Sequence, residues 1–245
     1  PEGYEAVGSG APAPVERLDG RRRYRWDLDA AAPTYTFAFA VSDFSVTEAM
    51  LGDTLPVRYY MLAPDSAFAA ELVRTPQMLA YFSELLGPYA FDHYASVEVP
   101  FGFAGMENAS ASFLQARLFG RGGAEETQVH EVAHQWFGNR VVVADWRDLW
   151  ISEGFATYLT TLFYEHADGV DAARERWAGM AAWTGGRRTT AHVLVPPPPV
   201  EPAEHLTWVP YQKGASVLHL LRLRLGDAAF FRALRETYRR YEGRP

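Results

Sequence analysis

The 245-residue chain is expected to fold as an α+β domain. Three observations support this. Short segments of strand character fall in the first hundred residues. Longer segments with helical spacing fill the rest. Hydrophobic residues make up 48% of the chain and charged residues 22%, a balance that supports a sizeable core and excludes a disordered chain.

The elements follow in order. Residues 1–33 are rich in Gly, Pro, Ala and Arg and read as a surface segment. "TYTFAFAVSDF", residues 34–44, alternates aromatic with small residues, as a strand does. "LPVRYYMLA" is a second strand. "SAFAAELVRTPQMLAYFSELLG" has helical spacing, and Thr75-Pro76 inside it predicts a break with Pro opening a second helix. "ASVEVP" is a short strand before a Gly-rich turn. Residues 124–140 have a helical pattern, with Glu125 and Glu126 at the end where the helix dipole favours negative charge. "LWISEGFATYLTTLFYEH" predicts the next helix and "HLTWVPYQKGASVLHLLRLRLG" holds another. "VPPPPVEP" ahead of it is a polyproline-like connector. "DAAFFRALRETYRRYEG" closes the chain as an amphipathic helix, and there is no internal repeat.

Composition narrows the chemistry. A formal net charge of -7 argues against a nucleic-acid partner, whose binding rests on Lys and Arg neutralising phosphates. Cys is absent, which excludes thiolate nucleophiles and Cys-ligated zinc, so any metal must use His, Asp or Glu. No apolar run approaches the roughly 20 residues of a membrane-spanning helix. The first residues lack the apolar stretch of a secretory signal and do not begin with Met, as expected of a processed chain or a fragment. The chain is expected to be soluble, and cytoplasmic ahead of secreted, although no residue fixes the compartment.

The stretch "VHEVAHQWFGN" carries the first chemical signal. On a helix, residues four apart lie on nearly the same face, so His130 and His134 can point at one ion, with Glu131 beside them and free of it. Alone, this pattern also fits two polar surface histidines. Glu153, in "ADWRDLWISEGFATYLT" on the next expected helix, supplies a third ligand if that helix folds back beside the first. Two His and one Glu leave an open fourth position, as catalytic zinc requires, and zinc lowers the pKa of water there to about 7. Glu131 would then take the proton of that water and pass it to the leaving amine. The plainer reading of Glu153 is a carboxylate favoured by a helix N-terminus.

These residues resemble the aminopeptidase N family of zinc metallopeptidases, which includes the leukotriene hydrolase branch. "HEVAHQWFGNRVVVADWRDLWISEGFATYLT" follows its zinc signature of H-E-x-x-H, eighteen residues, then E. "FAGMENAS" resembles its exopeptidase motif. The resemblance implies that Ala104, Gly105, Met106, Glu107 and Asn108 line the substrate site and that Glu107 binds the free α-amino group. A buried carboxylate facing an ammonium makes a charge-assisted hydrogen bond and so presents the first peptide bond to the metal. Gly105 would let backbone approach substrate closely; Ala104 stands where the family often has Gly. "VPYQKGASVL" matches the family's Tyr two residues before Lys-Gly, which implies that Tyr211 donates to the oxyanion, with Lys213 and Gly214 shaping the turn.

The resemblance covers roughly residues 35–240 and implies a thermolysin-like catalytic domain over residues 45–245. Residues 1–44 would be the last strands of a preceding β-sheet domain, and the helical domain that usually follows would be missing. The expected partners are peptides with a free N-terminus, together with further domains of a longer protein, and the expected cofactor is one Zn2+. A zinc endopeptidase, or a noncatalytic metal-binding scaffold, are the alternatives. His93, His166, His192, His205 and His219 are expected to be surface or packing residues, and Glu48, Asp65 and the Glu125-Glu126 pair caps or solvated faces.

Overall fold

The computed structural model describes residues 3–185, 193–198, 201 and 205–244, with side chains left undescribed at 183–185. It contains two compact units, one made of Pro1–Ala80 and Pro88–Gln135, the other of Tyr81–Gly87 and Trp136–Pro245. The mixture of sheets and helices agrees with the expected α+β class.

The first unit begins with short strands that the residue pattern of 1–33 did not locate, though the family resemblance expected strands over 1–44: β1 (Glu5–Gly8), β2 (Ala11–Pro12), β3 (Glu16–Leu18), β4 (Arg21–Arg23) and β5 (Trp26–Asp27). Two to four residues are too few to show a period of two. β3 pairs with β4 and β2 with β5, both antiparallel. Tyr24 stacks on Trp26, whose ring lies so close to Gly8 that a Cβ there would meet it at 2.8 Å.

Residues 34–44 are only partly the expected strand. Thr34–Thr36 form a 3-10 turn, because the Pro33 carbonyl accepts both the Thr36 amide (3.0 Å) and the Thr36 hydroxyl (2.7 Å). Extended pairing starts at β6 (Phe39–Ser42), which lies antiparallel on β1. β7 (Phe44–Leu51) and β8 (Leu55–Leu62) follow as a hairpin in the register Phe44 to Leu62. A 3-10 helix over Ala63–Leu72 and then α1 (Thr75–Leu86) carry the chain to β9 (Tyr94–Val99), parallel to β8. The expected break is there: Thr75 Oγ1 donates to Leu72 O at 2.7 Å.

β10 (Gly105–Met106) and β11 (Ala111–Gln115) complete a five-stranded mixed sheet ordered β10-β11-β9-β8-β7. Its core gathers Val7, Phe44, Tyr60, Ala95, Val97, Ala111 and Phe113. α2 (Ala124–Ala133) packs on β10 and β11 and buries Gln128, Val129 and Val132. It stops seven residues short of the expected end. Gly138 takes φ +135, a value that favours glycine, and Phe137 bridges to Val141 instead of continuing the helix.

The second unit is helical. α3 (Trp150–Asp168) is its centre and buries Tyr158, Leu159, Leu162 and Phe163. α4 (Val170–Gly185), which the sequence reading passed over, packs on α3, as does α5 (Gly214–Leu225). α6 (Asp227–Tyr241) closes the unit, with Phe230, Leu234 and Tyr238 buried. Arg222 on α5 is clamped by Glu165 at 2.8 Å and Asp227 at 2.8 Å. His219 stacks on Trp177 and His166 on Tyr81, the packing roles expected of them. His192 and part of "VPPPPVEP" lie outside the described residues.

Candidate metal centre

α2 fixes the two imidazoles. Glu125 and Glu126 occupy its first turn, and Val129, Val132 and Ala133 anchor its buried face. His134 is the C-terminal cap, still in helical conformation, and its amide donates to His130 O at 3.2 Å. The rings therefore stay one turn apart. Their planes cross at 84° with centroids 4.6 Å apart, and the two Nε2 atoms approach to 3.0 Å. Two nitrogens bound tetrahedrally to one zinc would stand about 3.3 Å apart. The nitrogens thus converge on one point, and His134 is buried while His130 is half-buried.

Glu131 is 5% exposed and turns toward β10. Gly105 on that strand lies so close to its carboxylate that a Cβ would meet Oε1 at 2.2 Å. Glu107 follows β10 directly and is also buried. Glu107, Glu131 and His134 each offer a ligand-type atom, all within 4.8 Å of one another. The Tyr35 hydroxyl donates to Glu107 Oε1 at 3.3 Å.

The other motif residues are placed as follows. Asn108 donates through Nδ2 to Thr36 O at 3.1 Å, and its carbonyl accepts the Ala111 amide at 2.9 Å, so it holds the turn after Glu107. Met106 packs against the sheet core. Ala104 is exposed, and its carbonyl accepts the Gln115 amide at 2.9 Å. Gln135 ties this turn to the metal helix, accepting from Ser110 N–H at 2.9 Å and donating to Asn108 O at 3.3 Å.

Glu153 sits in the first turn of α3, 7% exposed, and its amide donates to Leu149 O at 2.9 Å. Asp145 starts the preceding 3-10 turn by accepting the Arg147 amide at 2.9 Å. With His130 and His134, Glu153 completes a set of side chains of the types that could hold a metal ion. Next to Glu153, Gly154 meets Gly214: a Cβ on Gly154 would come within 2.9 Å of Gly214 Cα and of Pro210 O. Val209–Lys213, which carries Tyr211, is therefore laid against α3 as a π-helical turn. Such irregular turns often occur at functional sites.

Sequence reasoning missed Tyr35, Gln135 and Gly154. Tyr35 meets Glu107 across 72 residues, and nothing local announces that contact. Gly154 did leave a signal: a glycine inside a helix, matched by Gly214, marks a close helix crossing.

Comparison with known proteins identifies the family. The chain is 24% identical over 253 residues to leucine aminopeptidase 2 of Aspergillus fumigatus, covering 97% of this chain and 40% of that protein. It is 28% identical to human aminopeptidase B, covering 97% of this chain and 38% of the other, and 27% identical to leukotriene A-4 hydrolase of Xenopus laevis, covering 91% and 38%. The M1 zinc metallopeptidase crystal structure from Deinococcus radiodurans superposes with a TM-score of 0.83 at 29% identity, over 100% of this chain and 56% of that one. A variant bound to the substrate Tyr-Ser-Ala superposes with 0.83 at 28% identity, over 99% and 55%. The chain thus spans about two fifths of the curated relatives and just over half of these structures. Residues 70–244, the stretch that holds the three candidate ligands, both acidic partners and Tyr211, match the Peptidase family M1 domain, and the chain belongs to that family.

Proposed function

We propose that this chain is the catalytic part of a zinc aminopeptidase, which removes residues one at a time from the free N-terminus of peptides. One observation carries the reading: Glu107 and Glu131 present carboxylate oxygens within 4.8 Å of each other and of His134. In a peptide, the amino nitrogen and the carbonyl carbon of the first residue are about 2.5 Å apart. An ammonium held by Glu107 therefore places the first peptide bond, and no later one, within reach of Glu131. The relatives named as aminopeptidases, and the metallopeptidase bound to Tyr-Ser-Ala, support the same reading.

The donor set fits zinc: two imidazole nitrogens and a carboxylate, with no thiol in the chain. His130, His134 and Glu153 would hold the ion. When bound, zinc acidifies a water and polarises the scissile carbonyl. The chain's own side chains do the rest. Glu131 takes the proton of the attacking water and returns it to the leaving nitrogen. Glu107, steadied by the Tyr35 hydroxyl, accepts hydrogen bonds from the substrate ammonium. Tyr211 donates to the carbonyl oxygen as it gains charge, and Ala104 and Gly105 border the bound residue.

The test compares an amino-acid amide with its Nα-acetyl derivative, with and without chelator. Cleavage of the free amine alone, abolished by chelator, is the expected result. Equal cleavage of both would remove Glu107 as an amine anchor and leave an endopeptidase.

A further inference from the structure

Ser110 is fully buried and has φ +60, in the left-handed region that serine rarely enters. The Ala111 amide donates to Asn108 O at 2.9 Å, so Ser110 is the third residue of a tight turn that requires positive φ there. The turn directly follows Glu107. Glycine would make it without strain, but glycine would lack the hydroxyl. Ser110 Oγ accepts the Gly10 amide at 2.8 Å, across 100 residues. That bond closes a ring. Ser9, beside Gly10, donates its hydroxyl to Thr36 O at 3.2 Å. The same carbonyl accepts the Ala109 amide at 3.0 Å and Asn108 Nδ2 at 3.1 Å. Thr36 is fully buried, and its neighbour Tyr35 donates to Glu107. Residues 9–10, 35–36 and 107–110 are thus tied to one another, with Ser110 as the link between the first stretch and the last.

We propose that Ser110 is a positioning residue for Glu107: its hydroxyl, held in a strained conformation, closes the ring that keeps Tyr35 and the turn where they present the amine-binding carboxylate. The ring itself is independent of activity; its kinetic consequence rests on the aminopeptidase reading, in which Glu107 binds the substrate's ammonium. A loosened anchor weakens ground-state and transition-state binding alike and so appears in KM, with kcat nearly unchanged.

The test compares, in the full chain, Ser110→Ala, which keeps the strain and loses the hydroxyl, with Ser110→Gly, which loses both. With zinc added, both variants should raise KM for an amino-acid amide about 3- to 10-fold, the worth of one hydrogen bond, with kcat changed less than about 2-fold. Ser110→Gly should nevertheless melt higher than Ser110→Ala, because glycine takes positive φ without cost. A KM equal to the wild type's in both variants overturns the proposal. So does a KM restored by glycine alone, which would make backbone shape the whole effect. Amide hydrogen exchange reads the ring without turnover: Ser110→Ala should speed exchange about 5-fold or more at Ala109 as well as at Gly10. Faster exchange at Gly10 alone, or at neither, overturns the ring. If the wild type shows no aminopeptidase turnover, the functional reading falls, while the exchange rates still decide what Ser110 holds.

Discussion

At the scale of single residues, two buried carboxylates show how surroundings set chemistry. Glu107 receives the Tyr35 hydroxyl on Oε1, a bond of 3.3 Å that helps fix the carboxylate. Tyr35→Phe removes that donor and keeps the ring. The expected outcome is a KM for free-amine substrates raised about 3- to 10-fold, the worth of one modest hydrogen bond, with kcat changed less than about 2-fold. Steady-state kinetics on an amino-acid amide checks it, and an unchanged KM would detach Tyr35 from the anchor. Glu98 on β9 is the second buried carboxylate. Burial above all, with help from the Asp65 carboxyl and against the pull of the Leu62 amide on Oε2 (2.9 Å), pushes its pKa up to about 7. Protons are then held more tightly in the folded chain than in the unfolded one. Stability from this group is full below about pH 4.5 and is lost as pH rises to about 7. His93 acts in the opposite sense: burial, then the nearby Arg58 charge, lowers it to about 4, so its contribution is lost as pH falls from about 6.5 to about 4. Glu98→Gln removes the first effect and leaves the second. This variant should melt no lower than the wild type at pH 8 and lose more on acidification to pH 5.5, read as melting temperature against pH. Parallel profiles would contradict the assignment.

At the scale of elements, the close crossing of Gly154 and Gly214 brings the Tyr211 turn onto α3. Gly154→Ala would force a Cβ to 2.9 Å from backbone atoms on two sides, Gly214 Cα and Pro210 O. Backbone cannot rotate away as a side chain can, so overpacking should cost about 2–3 kcal/mol. For a chain of this length the melting temperature should drop by about 4–12 °C; a smaller drop would show that the crossing has slack. The same comparison of backbone and side chain explains which elements the sequence revealed. α6 was legible because a single apolar face, Phe230, Leu234 and Tyr238, repeats along it, and α3 because its apolar run is too long for a strand. The break at Thr75 was legible because proline tolerates only the first turn of a helix. The end of α2 was not, since Trp136, Phe137 and Val141 prolong an apolar spacing that only Gly138's positive φ interrupts. α4 escaped because its apolar residues are scattered round the helix, and β1 to β5 were expected only through the family resemblance, because so few residues carry no period. The site was far better marked than the fold. His130, Glu131 and His134 are local on one helix, and Glu153 stands at a fixed distance along the chain, whereas Tyr35, which supports Glu107, and Gln135, which holds the turn after it, act through tertiary contacts with no local pattern.

At the scale of the whole molecule, the described residues include two overlapping groups of potential metal-binding side chains, and metal linkage can tell them apart. His134 belongs to both: with His130 and Glu153 in one, with Glu107 and Glu131 in the other. An ion that binds the folded chain and not the unfolded one stabilises it by mass action, by about 4 kcal/mol when its free concentration is a thousand times the dissociation constant. That corresponds to about 8–16 °C in melting temperature for a chain of this length. Chelation of the wild type should lower the melting temperature by this order, and added zinc should restore it. If His130, His134 and Glu153 are the ligands, Glu153→Ala and His130→Ala should melt near the chelated wild type and gain little from zinc. Glu131→Gln should keep the full zinc response while losing turnover, because its carboxylate handles a proton and binds no metal. The opposite pattern, with Glu131→Gln insensitive to zinc and Glu153→Ala as responsive as the wild type, would move the ion to the Glu107–Glu131 side and end the proposed mechanism, since the group assigned to proton transfer would be spent as a ligand.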